Sequence, residues 1–327
     1  MSIDVKDHPA PPEATSPRAF LSNWRQYVVY IGFVIIFLFF ALTLQNRGFL
    51  TPNNLLNILR QTSIIAIVAM AMTFVLSAGE IDLSVGAIAG VSSVTAGLAI
   101  AHFGLFAGVV TGLGTGLLIG MINGGLSAFV GIPSFLVTLG MMGICRGSGM
   151  WISGTAPVPI TNDNWNWLFG SGAVGAVPVL VLWVLALGTV FHTALRYTPF
   201  GRRVLATGGN ETSARYSGVR TRVVKFQVLL ITALAASFAG MLYAGRLQTG
   251  RFLIGDGDEL SVIAAVVLGG TSLFGGSGTV IGSAVGALLI GVINNGLILM
   301  GLDVSQQLIA RGTLIILAVA IGTSSRK

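Results

Sequence analysis

Long apolar stretches, nearly free of charge, recur from Tyr27 to Gly322, and they constrain the fold more than any other feature of the chain. A helix rises 1.5 Å per residue, so crossing about 30 Å of hydrocarbon takes about 20 apolar residues. The 327-residue chain therefore has room for roughly ten spans joined by short loops. Only 9% of residues are charged, against about 25% in a soluble domain, and the mean hydropathy is +0.86. These values exclude an ordinary soluble enzyme and specify an all-α polytopic membrane protein embedded in the lipid bilayer. The expected spans are 27–44, 63–78, 84–101, 105–130, 132–153, 177–195, 223–246, 258–274, 279–302 and 305–322.

The 45 glycines have no three-residue period and suit close helix packing, where small residues let backbones approach. Cys145 is the single cysteine, which excludes a disulfide framework and a cysteine-rich metal site and leaves a buried small residue. A net charge of +7 suggests nucleic acid in a soluble protein; here the positive-inside rule accounts for it, and no nucleic-acid partner is expected. Only three lysines exist, Lys6, Lys225 and Lys327, and none follows a glycine, so the core of a phosphate-binding loop is absent. Neither HExxH nor GxSxG occurs, so no catalytic residues, metal ligands or bound cofactor are expected.

Residues 1–25 are polar and proline-rich and read as a disordered cytoplasmic tail, followed by one transmembrane domain over 26–327. The 27–44 run lacks a small-residue cleavage site and reads as a retained anchor. Twelve of the eighteen cations fall in the tail, the 196–225 loop and the carboxyl end, which puts both termini in the cytoplasm. The 154–176 segment, with Trp165 and Trp167, then lies outside, where tryptophan suits the membrane interface.

The chain also repeats itself. Residues 117–126 match residues 288–297 at an offset of 171, and Leu83-Ser84-Val85 returns as Leu260-Ser261-Val262 at an offset of 177, after an acid each time. Two five-span halves, about 27–153 and 177–322, would have opposite orientations because each holds an odd number of spans. Broken or re-entrant helices are expected at Gly79-Glu80-Ile81-Asp82 and before Gly275-Gly276.

Intramembrane acids are costly and so informative. Glu80 and Asp82 open one segment, and Asp256, Asp258 and Glu259 open its repeat partner. They form either a proton or cation path or, with Asp82 and Asp258, caps on helix amino termini. Arg146 and Arg311 pair with such acids or snorkel to an interface. Asn123, Asn294 and Asn295 offer amides to a hydroxyl-rich solute or to a neighbouring helix. Asp82, Ser84, Asn123, Glu259 and Asn294 are thus the candidate pathway residues around a central cavity.

In the 196–225 loop, Pro199-Phe200-Gly201 reads as a turn. Asn210 reads as the cap of a two-turn helix from Glu211 to Ser217, ended by Gly218 at C′. Such a helix among seven cations is a natural docking knob for a soluble protein, with Ala214 and Gly218 permitting close approach and Arg215 meeting acids.

These residues resemble the permease subunits of ribose-type monosaccharide ABC importers. The resemblance rests on Gly79-Glu80-Ile81-Asp82-Leu83-Ser84-Val85-Gly86, on Phe200-Gly201-Arg202 with Gly208-Gly209-Asn210 and Ala214-Arg215-Tyr216-Ser217-Gly218-Val219, and on the run from Asp258 to Gly278. It implies that Gly201, Asn210, Ala214, Arg215, Ser217 and Gly218 belong to a loop contacting an ATPase. It further implies a second permease subunit (identical or paralogous), a tandem-cassette ATPase that uses ATP and Mg, and a periplasmic sugar-binding protein. The alternative is an ion-coupled secondary transporter of a small polar solute using Glu80, Asp82 or Glu259. An intramembrane enzyme has no nucleophile and base to build on.

Overall fold

A computed structural model describes residues 17–310 together with 312, 313 and 316. Helix α1 (Pro17–Thr43) begins inside the segment expected as a tail, and residues 1–16 lie outside the described residues. Proline suits a first helical position, and neither proline nor glycine stands between Pro17 and the apolar run at Tyr27, so the helix of that run extends back to Pro17. Helix α2 (Pro52–Ser77) likewise starts on a proline at its first position, well before residue 63. It ends where Gly79, at φ +78°, donates its N–H to Leu76 while Glu80 donates to Val75, the double bond of a glycine-closed carboxyl end.

Helix α3 (Val85–Gly125) is two helical arms joined at Gly104, whose φ of 81° and ψ of −174° fold the second arm back on the first. The hydroxyls of Thr95 and Thr115 lie 2.9 Å apart across the fold, and a Cβ on Gly112 would touch Ala96. Its arms, 85–103 and 105–125, are the two expected spans packed antiparallel. A π-helical turn over 126–130 and Gly131 lead into α4 (Ser134–Ser153).

The 154–178 segment is built, not loose: α5 (Asp163–Asn166) is capped by the Asn162 side chain, a π-helical turn follows, and 173–174 pair with 177–178. These elements fold down onto later helices, so Trp165 is fully buried against Phe169 at 4.3 Å and is no interface anchor. Trp167 is 49% exposed.

Helices α6 (Val179–Tyr197), α7 (Pro199–Gly209), α8 (Glu211–Tyr216) and α9 (Thr221–Leu247) follow. The turn expected at Pro199 is instead the first turn of α7, because Thr198 accepts the Gly201 N–H with its hydroxyl and proline fits the first helical position. Residues 249–250 pair antiparallel with 158–159, and the chain then runs back along α3 to α10 (Asp258–Leu268). At eleven residues α10 is about 16 Å long, too short to cross alone. A glycine-rich link leads to α11 (Val280–Leu299). Residues 304–310 are helical and open the last expected span, whose remainder lies mostly outside the described residues.

Among the described residues, six helical stretches are long and apolar enough to cross a membrane by length and composition. Packing exchanges partners between the halves: α3 lies against α9, while α10 and α11 lie against α2. Bare glycine faces make the approach possible. A Cβ on Gly120 would meet Ala233, and one on Gly291 would meet Thr62. The centre is the buried run of α2 from Ile64 to Leu76 with Leu229 to Leu242 of α9, and α1 joins through Phe40, together with Phe49 of the turn that follows it, against Leu289 and Val292 of α11.

Candidate coupling and translocation sites

Three of the five candidate pathway residues come together where α2 gives way to α3. Asp82 is fully buried, and its Oδ1 accepts the Ser84 N–H at 2.9 Å and the Ser84 hydroxyl at 2.6 Å. The Ser84 oxygen in turn accepts from Asn123 Nδ2 at 3.0 Å. Asp82 Oδ2 and Asn123 Oδ1 are buried and find no partner among the described residues. The irregular backbone here is satisfied by α4, as Ile81 N–H donates to Ser134 Oγ and Leu83 N–H to Thr138 Oγ1, each at 3.1 Å.

Glu259 lies elsewhere, in the first turn of α10, with Oε1 4.0 Å from Arg146 Nη2. The same guanidinium hydrogen-bonds Asp256, so Arg146 pairs with acids from the other half of the chain. Arg146 stands in the middle of α4, and the Asp256 side chain is half exposed. Asp258 is not the cap of α10. Gly257, at φ +79°, takes that position, and Asp258 accepts the Tyr243 hydroxyl at 2.6 Å. Asn294 is buried in α11 beside Asn295, whose amide exchanges two hydrogen bonds with Asn54 of α2, an interhelical lock. Between the halves, the cavity lined by Val85, Gly86, Ala239, Tyr243 and Asp258 holds about 10 Å³, far below the ~300 Å³ of a small-molecule pocket.

The 196–225 loop folds compactly under the Asp82 segment. Asn210 accepts the Ser213 N–H at 2.9 Å, and Gly218, at φ +84°, ends α8 with Val219 N–H on Ala214. Ala214 is buried at 5%, turned toward the chain's own α7 and α9, not outward. Thr212, Ser213, Arg215, Tyr216 and Ser217 are exposed, and Arg215 and Tyr216, the latter 90% exposed, are the large side chains among them. Gly201 is buried as well, since a Cβ there would strike the Leu195 carbonyl oxygen at 1.9 Å at the α6–α7 corner. At the end of α7, Gly208 packs on Ser77, whose carbonyl oxygen accepts the Gly276 N–H at 3.0 Å. Three glycine motifs far apart in sequence thus share one contact.

Sequence reasoning missed Lys225 as a partner of acids. Its Nζ lies 2.8 Å from Glu80 Oε1 and 2.8 Å from Glu211 Oε2, and Thr221 donates to the other Glu211 oxygen at 3.1 Å. The Lys225 hydrogen bond holds the Glu211 carboxyl below its ordinary value. The available signal was its rarity, as one of three lysines and the only one away from the ends.

Residues 54–319 match the family described as branched-chain amino acid transport system / permease component. The ribose import permease protein RbsC of Bacillus subtilis is 37% identical over 294 residues, 89% of this chain and 91% of that protein. The L-arabinose ABC transporter permease protein AraH of Azospirillum brasilense is 36% identical, covering 95% and 92% of the two chains. The D-allose transport system permease protein AlsC of Escherichia coli is 35% identical, covering 93% and 94%. No solved structure matches the chain.

Proposed function

The chain belongs to this permease family, and from that premise we propose that it is a membrane-spanning subunit of an ATP-binding-cassette importer for a monosaccharide or a related hydroxylated solute. It is a multi-pass protein of the bacterial inner membrane, a transport subunit and not an enzyme. Relatives named for ribose, L-arabinose and D-allose support the substrate class, since all three solutes are aldoses. An ATPase and a solute-binding protein complete such a system, and this chain supplies no ATP site of its own. The finer assembly is a second permease, identical or paralogous, with a tandem-cassette ATPase.

The observation that carries the reading is α8, a capped helix on a cation-rich loop that presents Arg215 and Tyr216 outward. It serves as the ATPase contact, with both termini cytoplasmic as the cation distribution favours. Ten spans in two inverted halves fit the packing: Gly120 with Ala233 and Gly291 with Thr62 are the same contact shifted by the 171-residue offset of the sequence repeat, with the roles of the halves exchanged. Solute passes along the face bearing Arg146, Asp256 and Glu259, because an exposed ion pair halfway along an apolar helix belongs beside water or protein rather than lipid. Asp82, Ser84, Asn123 and Asn294 support that pathway from within.

The test is uptake by vesicles reconstituted with the permease, its ATPase and its binding protein. Uptake should need ATP and survive collapse of the proton and sodium gradients; the reverse pattern would establish an ion-coupled carrier. In the same preparation, Tyr216→Ala with Arg215→Glu should lower co-purification of the ATPase at unchanged membrane insertion.

A further inference from the structure

We infer that Lys225 is a positioning residue through which movement of the docking helix α8 reaches the backbone break at residues 78–84. The inference rests on the proposed role of α8 as the ATPase contact. Lys225 belongs to neither element it joins. It projects from the amino-terminal end of α9 and places one ammonium 2.8 Å from a carboxylate oxygen on each side, Glu211 of α8 and Glu80 of the break. An ammonium has three donors on a four-carbon stem, so it can hold two acceptors and follow either.

The two ends of this link are unequal. Glu211 is partly exposed, also takes a hydrogen bond from Thr221 and lies in the field of Arg215, so water and neighbours can answer its charge when α8 shifts. The Glu80 side chain is only 9% exposed, and a buried carboxylate parted from its cation is strongly destabilised. Glu80 must therefore follow Lys225, whereas Glu211 can let go. The side-chain ties from Ile81 and Leu83 of the break to hydroxyls of α4 are neutral and weaker. Two residues beyond Glu80 stands Asp82, whose Oδ1 holds Ser84 and through it Asn123. A pull on α8 thus has a charged route into the buried polar chain at the start of α3.

The experiment compares Lys225→Met and Glu80→Gln in the full importer, reconstituted with its ATPase and binding protein. Three quantities are read: monodispersity in detergent, co-purification of the ATPase, and stimulation of ATP hydrolysis by the loaded binding protein. Both variants should insert and keep the ATPase at wild-type stoichiometry, while stimulation falls about tenfold, within the range that coupling substitutions reach. The double variant should be no worse than Lys225→Met alone, because both remove one link. Wild-type stimulation in Glu80→Gln overturns the inference, and so does an additive loss in the double variant. Loss of ATPase binding in Glu80→Gln also overturns it, by reducing the triad to a scaffold for α8. If Lys225→Met fails to fold, the milder Glu80→Gln decides alone. Failure of the α8 reading is seen separately, as undiminished ATPase binding by the Tyr216→Ala and Arg215→Glu protein.

Discussion

An added Cβ at Gly208 would lie 1.9 Å from the Ser77 carbonyl oxygen, whereas at Gly209 the nearest atom, the Gly276 Cα, is 3.7 Å away. The first clash is with backbone and cannot be relieved by turning a side chain; the second is ordinary contact. Gly208→Ala should therefore destabilise the permease by about 1–3 kcal/mol, while Gly209→Ala stays close to wild type. Thermal unfolding of the purified protein in detergent distinguishes them, and equal midpoints would contradict the packing. Sequence pattern shows a Gly-Gly pair but not which member is pinned, because Ser77 and Gly276 come from distant segments. The same holds at other sites. Asn210 and Gly218 were legible as cap and closing glycine because their partners lie within a few residues. The inward turn of Ala214 was not, since it depends on where α7 and α9 lie, and Arg146 was visible as an intramembrane cation while its partners Asp256 and Glu259 were open.

Apolar runs located the long helices, including both arms of α3, because length and hydropathy are properties of the segment itself. They located the ends poorly, since proline at 52 and at 199 reads equally as a break or as a first helical position, and the flanking residue decides. At α7 the Thr198 hydroxyl settles it in favour of helix. For α8, the Glu211 carboxyl faces Lys225, Thr221 and Arg215, and Glu80 lies on the far side of Lys225. Since its folded value is lowered, the stabilisation by Glu211 is complete above the ordinary glutamate range and is lost as pH falls through the lowered value. Amide exchange in α8, corrected for its intrinsic rate, should stay constant from about pH 7 to about pH 5 and rise only below the ordinary value of about 4.3. The Glu211→Gln chain should lack that acid transition. A transition centred above pH 5 in the unmodified chain would be inconsistent with the Lys225 pairing.

At the scale of the molecule, two outward faces differ in kind. Along α6, Leu182, Leu185 and Val190 are exposed and apolar, as a lipid-facing helix requires. Along α4, Gly140, Gly143 and Gly147 have open space before them and share their helix with the half-exposed ion pair of Arg146. With Cys145 replaced by alanine, a cysteine at Gly143 should react with a water-soluble maleimide at a rate that changes with the nucleotide state of the ATPase, and one at Leu185 should stay unreactive; equal labelling would remove the distinction between the faces. The exchanged packing of the two halves bears also on how the chain is made. The glycine face of α3 around Gly120 is completed by Ala233 of α9, more than a hundred residues later. At about 5–20 residues per second, synthesis leaves that face open for roughly 5–20 s. During that interval the nascent permease holds an unfinished interface in the bilayer. A chain cut short after α6 should therefore be cleared by membrane proteolysis faster than the full-length chain in a pulse-chase measurement.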